Sequence, residues 1–245
     1  AYQRAHLAGA HFVDLEHDLA AHPADAAHGG RHPLPDPALF AARLGAWGIA
    51  PEHHVVIYDD QNGANAAART WWMLRALGHT RVQVLDGGIQ AAEAIGLPLD
   101  DRTPSESGAA PYPVRAFRGT ADIEQVEAAR KRPDARVIDV RAAPRYLGQS
   151  EPIDPIAGHI PGAVNVPLTE NLTPDGRFKS PEALRALYAP LLPNGDACAG
   201  IVHCGSGVTA CHTLLALERA GLTGAALYVG SWSEWCRQPE RERAP

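Results

Sequence analysis

Ile201-Val202-His203-Cys204-Gly205-Ser206-Gly207-Val208-Thr209-Ala210-Cys211 decides how this chain is read. A short apolar run ends at Cys204, and two glycines follow within the next three residues. From Val208 to Ala220 the apolar residues Val208, Leu214, Leu215 and Leu217 recur at helical spacing, with Gly221 as a stop. The stretch therefore reads as strand, tight loop, helix, with Cys204 at the bottom of the loop. Backbone N–H groups of such a loop and of the helix start converge and favour an anion. The thiolate is the reactive form of cysteine. The position thus favours a nucleophile over a buried structural thiol.

Working outward, the chain repeats itself. His6-Leu7-Ala8-Gly9-Ala10-His11-Phe12-Val13 matches His159-Ile160-Pro161-Gly162-Ala163-Val164-Asn165-Val166. Val56-Ile57-Tyr58-Asp59 matches the run from Ile201 to Cys204. Val84-Leu85-Asp86-Gly87-Gly88 matches Leu227-Tyr228-Val229-Gly230-Ser231. The blocks keep their order, as two fused copies of one fold would. Asp59 stands where the second copy has Cys204. A carboxylate cannot act as the thiolate nucleophile, so the first copy is expected to be catalytically silent.

Each half alternates strand and helix. In the first, Asp36-Pro37 opens a helix to about Trp47. A strand follows at 55–58, a helix at 64–77 stopped by Gly78, and a strand at 81–85. In the second, Thr120 is read as the cap of a helix with Asp122 and Glu124 in its first turn. Strands are expected at 136–140, near 200–203 and at 225–229, and Ser180-Pro181 opens another helix. The alternation predicts an α/β fold, each half a parallel sheet flanked by helices, with sites at the carboxyl ends of strands. The expected division is residues 1–100, a linker at 101–118 rich in Pro, Ser and Gly, and 119–245. The counterpart of strand 136–140 would precede residue 1, so the first half lacks its opening strand in this chain.

Composition narrows the function. The chain has 245 residues, 45% of them hydrophobic, and a net charge of −6. That balance disfavours nucleic acid and a polybasic membrane contact. No apolar run approaches the roughly 18 residues of a membrane helix. The four cysteines, Cys198, Cys204, Cys211 and Cys236, form no C-x-x-C pair and no secreted disulfide framework. A reducing cytoplasm is the expected home, although a start at Ala1 leaves a processed leader open. The twelve histidines show no zinc-ligand spacing, so no metal is expected.

At this point the chain resembles a family. The loop Cys204-Gly205-Ser206-Gly207-Val208-Thr209, the segment from Gly158 to Ala163 and the ending Gly230-Ser231-Trp232-Ser233-Glu234-Trp235 together resemble the two-domain rhodanese sulfurtransferases. The resemblance implies two tandem rhodanese-like domains, the second carrying a cysteine that becomes a persulfide, with no organic cofactor. Within the family the uncharged loop resembles the 3-mercaptopyruvate branch, whereas thiosulfate-specific members carry Arg and Lys at the positions of Gly205 and Ser206. The resemblance further implies that Arg145 binds the donor's carboxylate or sulfonate. It implies that Gly205, Gly207, Val208 and Thr209 line the site, and that Ser206, His32 and Glu16 form a proton relay. The branch usually has a second arginine near the segment from Glu151 to Asp154. Here Ile153-Asp154 stand instead, and that acid is expected to weaken donor binding or to mark a branch with another donor. Arg141 is expected to make a structural ion pair, and Trp232 and Trp235 to be core and pocket wall. The implied partners are a small-molecule sulfur donor and a thiol, thioredoxin-like or cyanide acceptor. Two rivals are weaker. A cysteine phosphatase would need arginine where Ala210 stands, and an inert binding module would not need an intact Cys204 loop; a thiosulfate-preferring enzyme and a sulfur-relay carrier to a protein acceptor stay open as alternatives.

Overall fold

A computed structural model describes residues 2–104 and 112–245; residues 105–111 of the expected linker lie outside the described residues. The chain divides into two compact units. One holds Ala1–Ala21, Leu34–Arg118 and Asp175–Arg177, the other His22–Pro33, Gly119–Pro174 and Phe178–Pro245. Residues 22–33 thus pack with the second unit, although they precede most of the first in sequence.

The first unit runs β1 (His6–Leu7), α1 (Pro37–Ala46), β2 (Val55–Ile57), α2 (Ala66–Ala76), β3 (Val82–Val84), α3 (Gly88–Ala94) and β4 (Leu99–Asp100). Asp36 caps α1, its carboxylate accepting the Ala38 N–H at 2.7 Å. β2 and β3 pair in parallel, and β1 and β4 antiparallel. Phe40, Leu44, Met73 and Leu74 fill the core, and Arg69 is fully buried with them. Among the described residues no strand pairs with the other edge of β2. A cavity of about 690 Å³ in this unit is lined by Val55 and Ile57 of β2 together with His11 and Phe12.

The second unit runs β5 (Thr120–Ala121), α4 (Ile123–Ala129), β6 (Arg136–Asp139), α5 (Ala143–Tyr146), β7 (Val164–Asn165), α6 (Pro181–Tyr188), β8 (Gly200–His203), α7 (Ala210–Arg219), β9 (Ala226–Tyr228) and α8 (Ser231–Trp235), with short 3₁₀ turns between. Its sheet is five-stranded and parallel, in the order β5-β9-β8-β6-β7. Val137 packs with Val126, Trp232 and Trp235 on one face. Ile138, the next residue along β6, and its register partner Val202 are also fully buried. Both faces of the sheet are therefore covered, as a parallel sheet requires. Thr120 is a strand residue, not a cap. The cap of α4 is Asp122, which accepts the Gln125 N–H at 2.8 Å while the Gln125 side chain accepts the Asp122 N–H at 2.9 Å. No helix among the described residues is long and apolar enough to cross a membrane.

Candidate active site

β8 delivers Cys204 to the carboxyl end of the sheet. The helix that follows begins at Ala210, two residues later than its apolar spacing predicts. Gly207 causes the delay. Its φ of +76° turns the backbone, and a Cβ there would lie 2.4 Å from the Val229 carbonyl, so only glycine fits. Val208 and Thr209 stay in the loop, and their carbonyls accept the N–H groups of Cys211 and His212 at 3.1 and 3.2 Å. The Thr209 side chain makes no capping bond. Cys204 is 2% exposed. Its N–H donates to Ser231 Oγ at 3.2 Å, and the Cys204 and Gly205 carbonyls accept from Trp232 and Ser233 at 3.1 and 2.8 Å. The loop is thus held by the start of α8.

The first unit shows what such a loop binds. Asp59 occupies the position equivalent to Cys204. Its Oδ1 accepts the N–H groups of Gln61 and Gly63 at 2.9 and 2.7 Å, and its Oδ2 those of Asn65 and Ala67 at 3.0 and 3.1 Å. Those donors stand two, four, six and eight residues after the acid. In the second unit the first three correspond to Ser206, Val208 and Ala210. Among the described residues no hydrogen bond uses the N–H of any of the three. One copy of the loop wraps an anion that is part of its own chain. The other presents the same donors beside a cysteine.

Charged side chains surround the loop. His32 Nδ1 lies 2.7 Å from Ser206 Oγ. Glu16 belongs to the first unit, where its N–H donates to Asp14 Oδ1 at 2.9 Å and its side chain is exposed. The segment bearing His32 is pinned within the second unit. Gly29 N–H donates to Glu234 Oε1 at 2.8 Å and Arg31 N–H to Ser233 Oγ at 3.1 Å. Gly30 passes so close that a Cβ would sit 2.4 Å from the Gly230 carbonyl. Arg145, in α5, is held by Glu151 through Nη2 at 2.6 Å and Nε at 3.1 Å. Arg141 pairs with Asp139 at 2.6 Å and lies with its guanidinium carbon 4.8 Å from the Trp232 ring centroid, the structural role expected of it. Burial lowers the His203 imidazole from its ordinary value despite the nearby Asp139.

Asp154 corrects one expectation. It is buried and paired with Arg31 and, at 3.0 Å, with Arg237, while Arg145 Nη2 lies 3.6 Å away. Its charge is neutralised by these guanidiniums and does not oppose an anionic donor. Nothing local in the sequence marks Arg31, because its place depends on the packing of residues 22–33 against α8.

The other cysteines are set apart. Cys198 is exposed on a 3₁₀ turn, and Cys211 is buried in α7 with its thiol donating to the Gly207 carbonyl at 3.4 Å. Cys236 is a fully buried core residue, and burial raises its thiol above the ordinary value. Trp232 and Trp235 are both core. Among the described residues no group of three or more His, Cys, Asp or Glu is placed to hold a metal.

A parallel α/β unit with one cysteine loop at a strand-to-helix junction, preceded by a copy with an acid in that loop, defines a class of protein. A model of the rhodanese-like domain matches residues 1–94 and 122–238. The chain is 47% identical over 247 residues to a Pseudomonas aeruginosa protein named "Probable 3-mercaptopyruvate sulfurtransferase", covering 98% of this chain and 84% of that protein. It is 38% identical over 251 residues to the thiosulfate sulfurtransferase of Cricetulus griseus, covering 98% and 80%. Among solved structures, the 3-mercaptopyruvate sulfotransferase SseA from Escherichia coli superposes with a TM-score of 0.77 at 32% identity, covering 95% of this chain and 85% of that one. The chain belongs to the rhodanese family and is a sulfurtransferase.

Proposed function

We propose that the chain takes sulfur from 3-mercaptopyruvate onto Cys204 and passes it to a thiol. The observation that carries this reading is the loop itself. Three of the four N–H positions that bind a carboxylate in the first unit recur with unused N–H groups after a cysteine in the second, where a thiolate or a persulfide anion takes the carboxylate's place. The Cys204 thiolate attacks the sulfur of the donor. The donor's C–S bond breaks and its electron pair leaves on carbon as the enolate of pyruvate, which is protonated through Ser206 with His32 behind it. Cys204 keeps the sulfur as a persulfide, and an acceptor thiol removes the outer sulfur in a second half-reaction. Arg145 binds the donor carboxylate. The neutral residues from Gly205 to Thr209 favour a monoanion over the thiosulfate dianion, since no loop side chain carries positive charge. Similarity to proteins named for either donor leaves that preference to experiment.

The test is a sulfur-transfer assay with mercaptopyruvate and thiosulfate side by side, joined to mass measurement of the donor-treated protein. The expected result is one added sulfur on Cys204, a higher kcat/KM for mercaptopyruvate, and no turnover by Cys204→Ser. The Ser variants of Cys198, Cys211 and Cys236 keep most activity. Transfer by Cys204→Ser would overturn the persulfide route, and a thiosulfate preference would overturn the choice of donor.

A further inference from the structure

We propose that Arg31 is the second guanidinium of the donor site and, with Arg145, grips the carboxylate of an α-keto thiol. This rests on the reading of the donor given above.

Three observations carry it. First, two guanidiniums converge on one edge of the loop. A Cβ on Gly205 would come within 3.4 Å of Arg31 Nη2 and 3.5 Å of both Arg145 Nη1 and Nη2. Gly205 has no side chain, so the space beside Cys204 in the sequence is faced by two cations. Second, each guanidinium is fixed through one part and free at another. Arg31 binds Asp154 through Nη1, leaving Nη2 toward Gly205. Arg145 binds Glu151 through Nε and Nη2, leaving Nη1 toward the same point. Two separate N–H groups aimed at one place suit the two oxygens of a carboxylate.

Third, the charges count in favour of a monoanion. Arg31, Arg141, Arg145 and Arg237 share Asp139, Glu151 and Asp154 in one connected network. Four cations meet three anions, and the groups left free face Gly205. One negative charge completes the set. Arg31 is also held where a ligand needs it, because its backbone N–H is tied to Ser233 Oγ at 3.1 Å and the preceding Gly30 lies against Gly230. Asp154 is then a positioning residue that acts through Arg31.

The experiment is single-turnover persulfide formation on Cys204 with 3-mercaptopyruvate, together with inhibition by pyruvate, in the unmodified protein and in Arg31→Gln and Arg31→Lys. Arg31→Gln is expected to raise KM for mercaptopyruvate about tenfold or more, with kcat changed by less than about threefold, and to weaken pyruvate inhibition about equally. Arg31→Lys keeps the charge but loses the planar fork, and falls between the two. A near-unchanged kcat at saturating donor shows that each variant has an intact loop. If the unmodified protein forms no persulfide from mercaptopyruvate, the donor reading fails. If it does, and both variants keep KM and pyruvate inhibition within about twofold, or lose kcat alone, the role of Arg31 is refuted.

Discussion

Replacing Asp59 by alanine tests the idea that this loop is built to hold an anion. The substitution removes the acceptor of four N–H bonds between 2.7 and 3.1 Å, two on each carboxylate oxygen. Hydrogen bonds to a charged partner are each worth about 1.5–3 kcal/mol net when buried. Asp59 is only half-buried, so water re-solvates part of what is lost. A net loss of about 3 kcal/mol is expected, well below the sum over four full bonds. Asp59→Asn keeps one carbonyl oxygen and should lose about half as much. The assay is urea unfolding followed by tryptophan fluorescence. Trp47, Trp71 and Trp72, all buried, report on the first unit, and a Trp47→Phe variant separates the probe that lines its cavity from the pair in α2. A loss below about 1 kcal/mol for Asp59→Ala would mean that water satisfies these donors equally well. The comparison with the Cys204 loop would then lose its physical basis.

Two further predictions follow from the second unit. His32→Ala removes the partner of Ser206 at 2.7 Å and should lower kcat more than it raises KM, as steady-state kinetics would show; unchanged kinetics would make His32 structural. His212 is buried against Phe178, with ring centroids 4.4 Å apart, and burial lowers its imidazole to about 4. The unfolded chain therefore takes up the proton first, so the stabilisation is complete above about pH 6.5 and is lost as pH falls through about 4, roughly 3 kcal/mol in all. Urea titrations between these pH values check it. His212→Leu should flatten the slope to the part due to His203, whose imidazole burial also lowers; an unaltered slope would assign the effect elsewhere.

What the sequence disclosed depended on how local the signal was. Asp36-Pro37 and Ser180-Pro181 mark helix starts through atoms a few residues apart, and both side chains cap as read. The start of α4 carried an equally local signal, Asp122 with Gln125 three residues on, but Thr120 two residues earlier has the same capping chemistry and drew the assignment. The delayed start of α7 was less accessible. Val208 fits the apolar period, and only the close approach of Gly207 to Val229, in a strand connection twenty-two residues later, keeps it out of the helix. Arg31 lay furthest from view. Its place depends on Ser233 and Asp154, more than a hundred residues away in sequence. The same distance explains the misreading of Asp154, whose sign was plain but whose three cationic neighbours were not.

The two loops also indicate how one fold separates support from chemistry. A loop whose N–H groups converge has an electrostatic demand that something negative must meet. In the first unit Asp59 meets it permanently, from within the chain, and the N–H groups at Gln61, Gly63, Asn65 and Ala67 serve stability. In the second, Cys204 stands at the equivalent position, with a side chain that gains and loses an outer sulfur in the reaction proposed above. The donors at Ser206, Val208 and Ala210 are then available to an anion that comes and goes. The arginines beside Gly205 extend the same principle by one shell. Their carboxylate partners hold them in place but leave one positive charge over, so the site is complete only while an anionic donor is bound. Catalysis in this chain therefore needs an unmet electrostatic demand at the cysteine loop, and the first unit shows that demand satisfied.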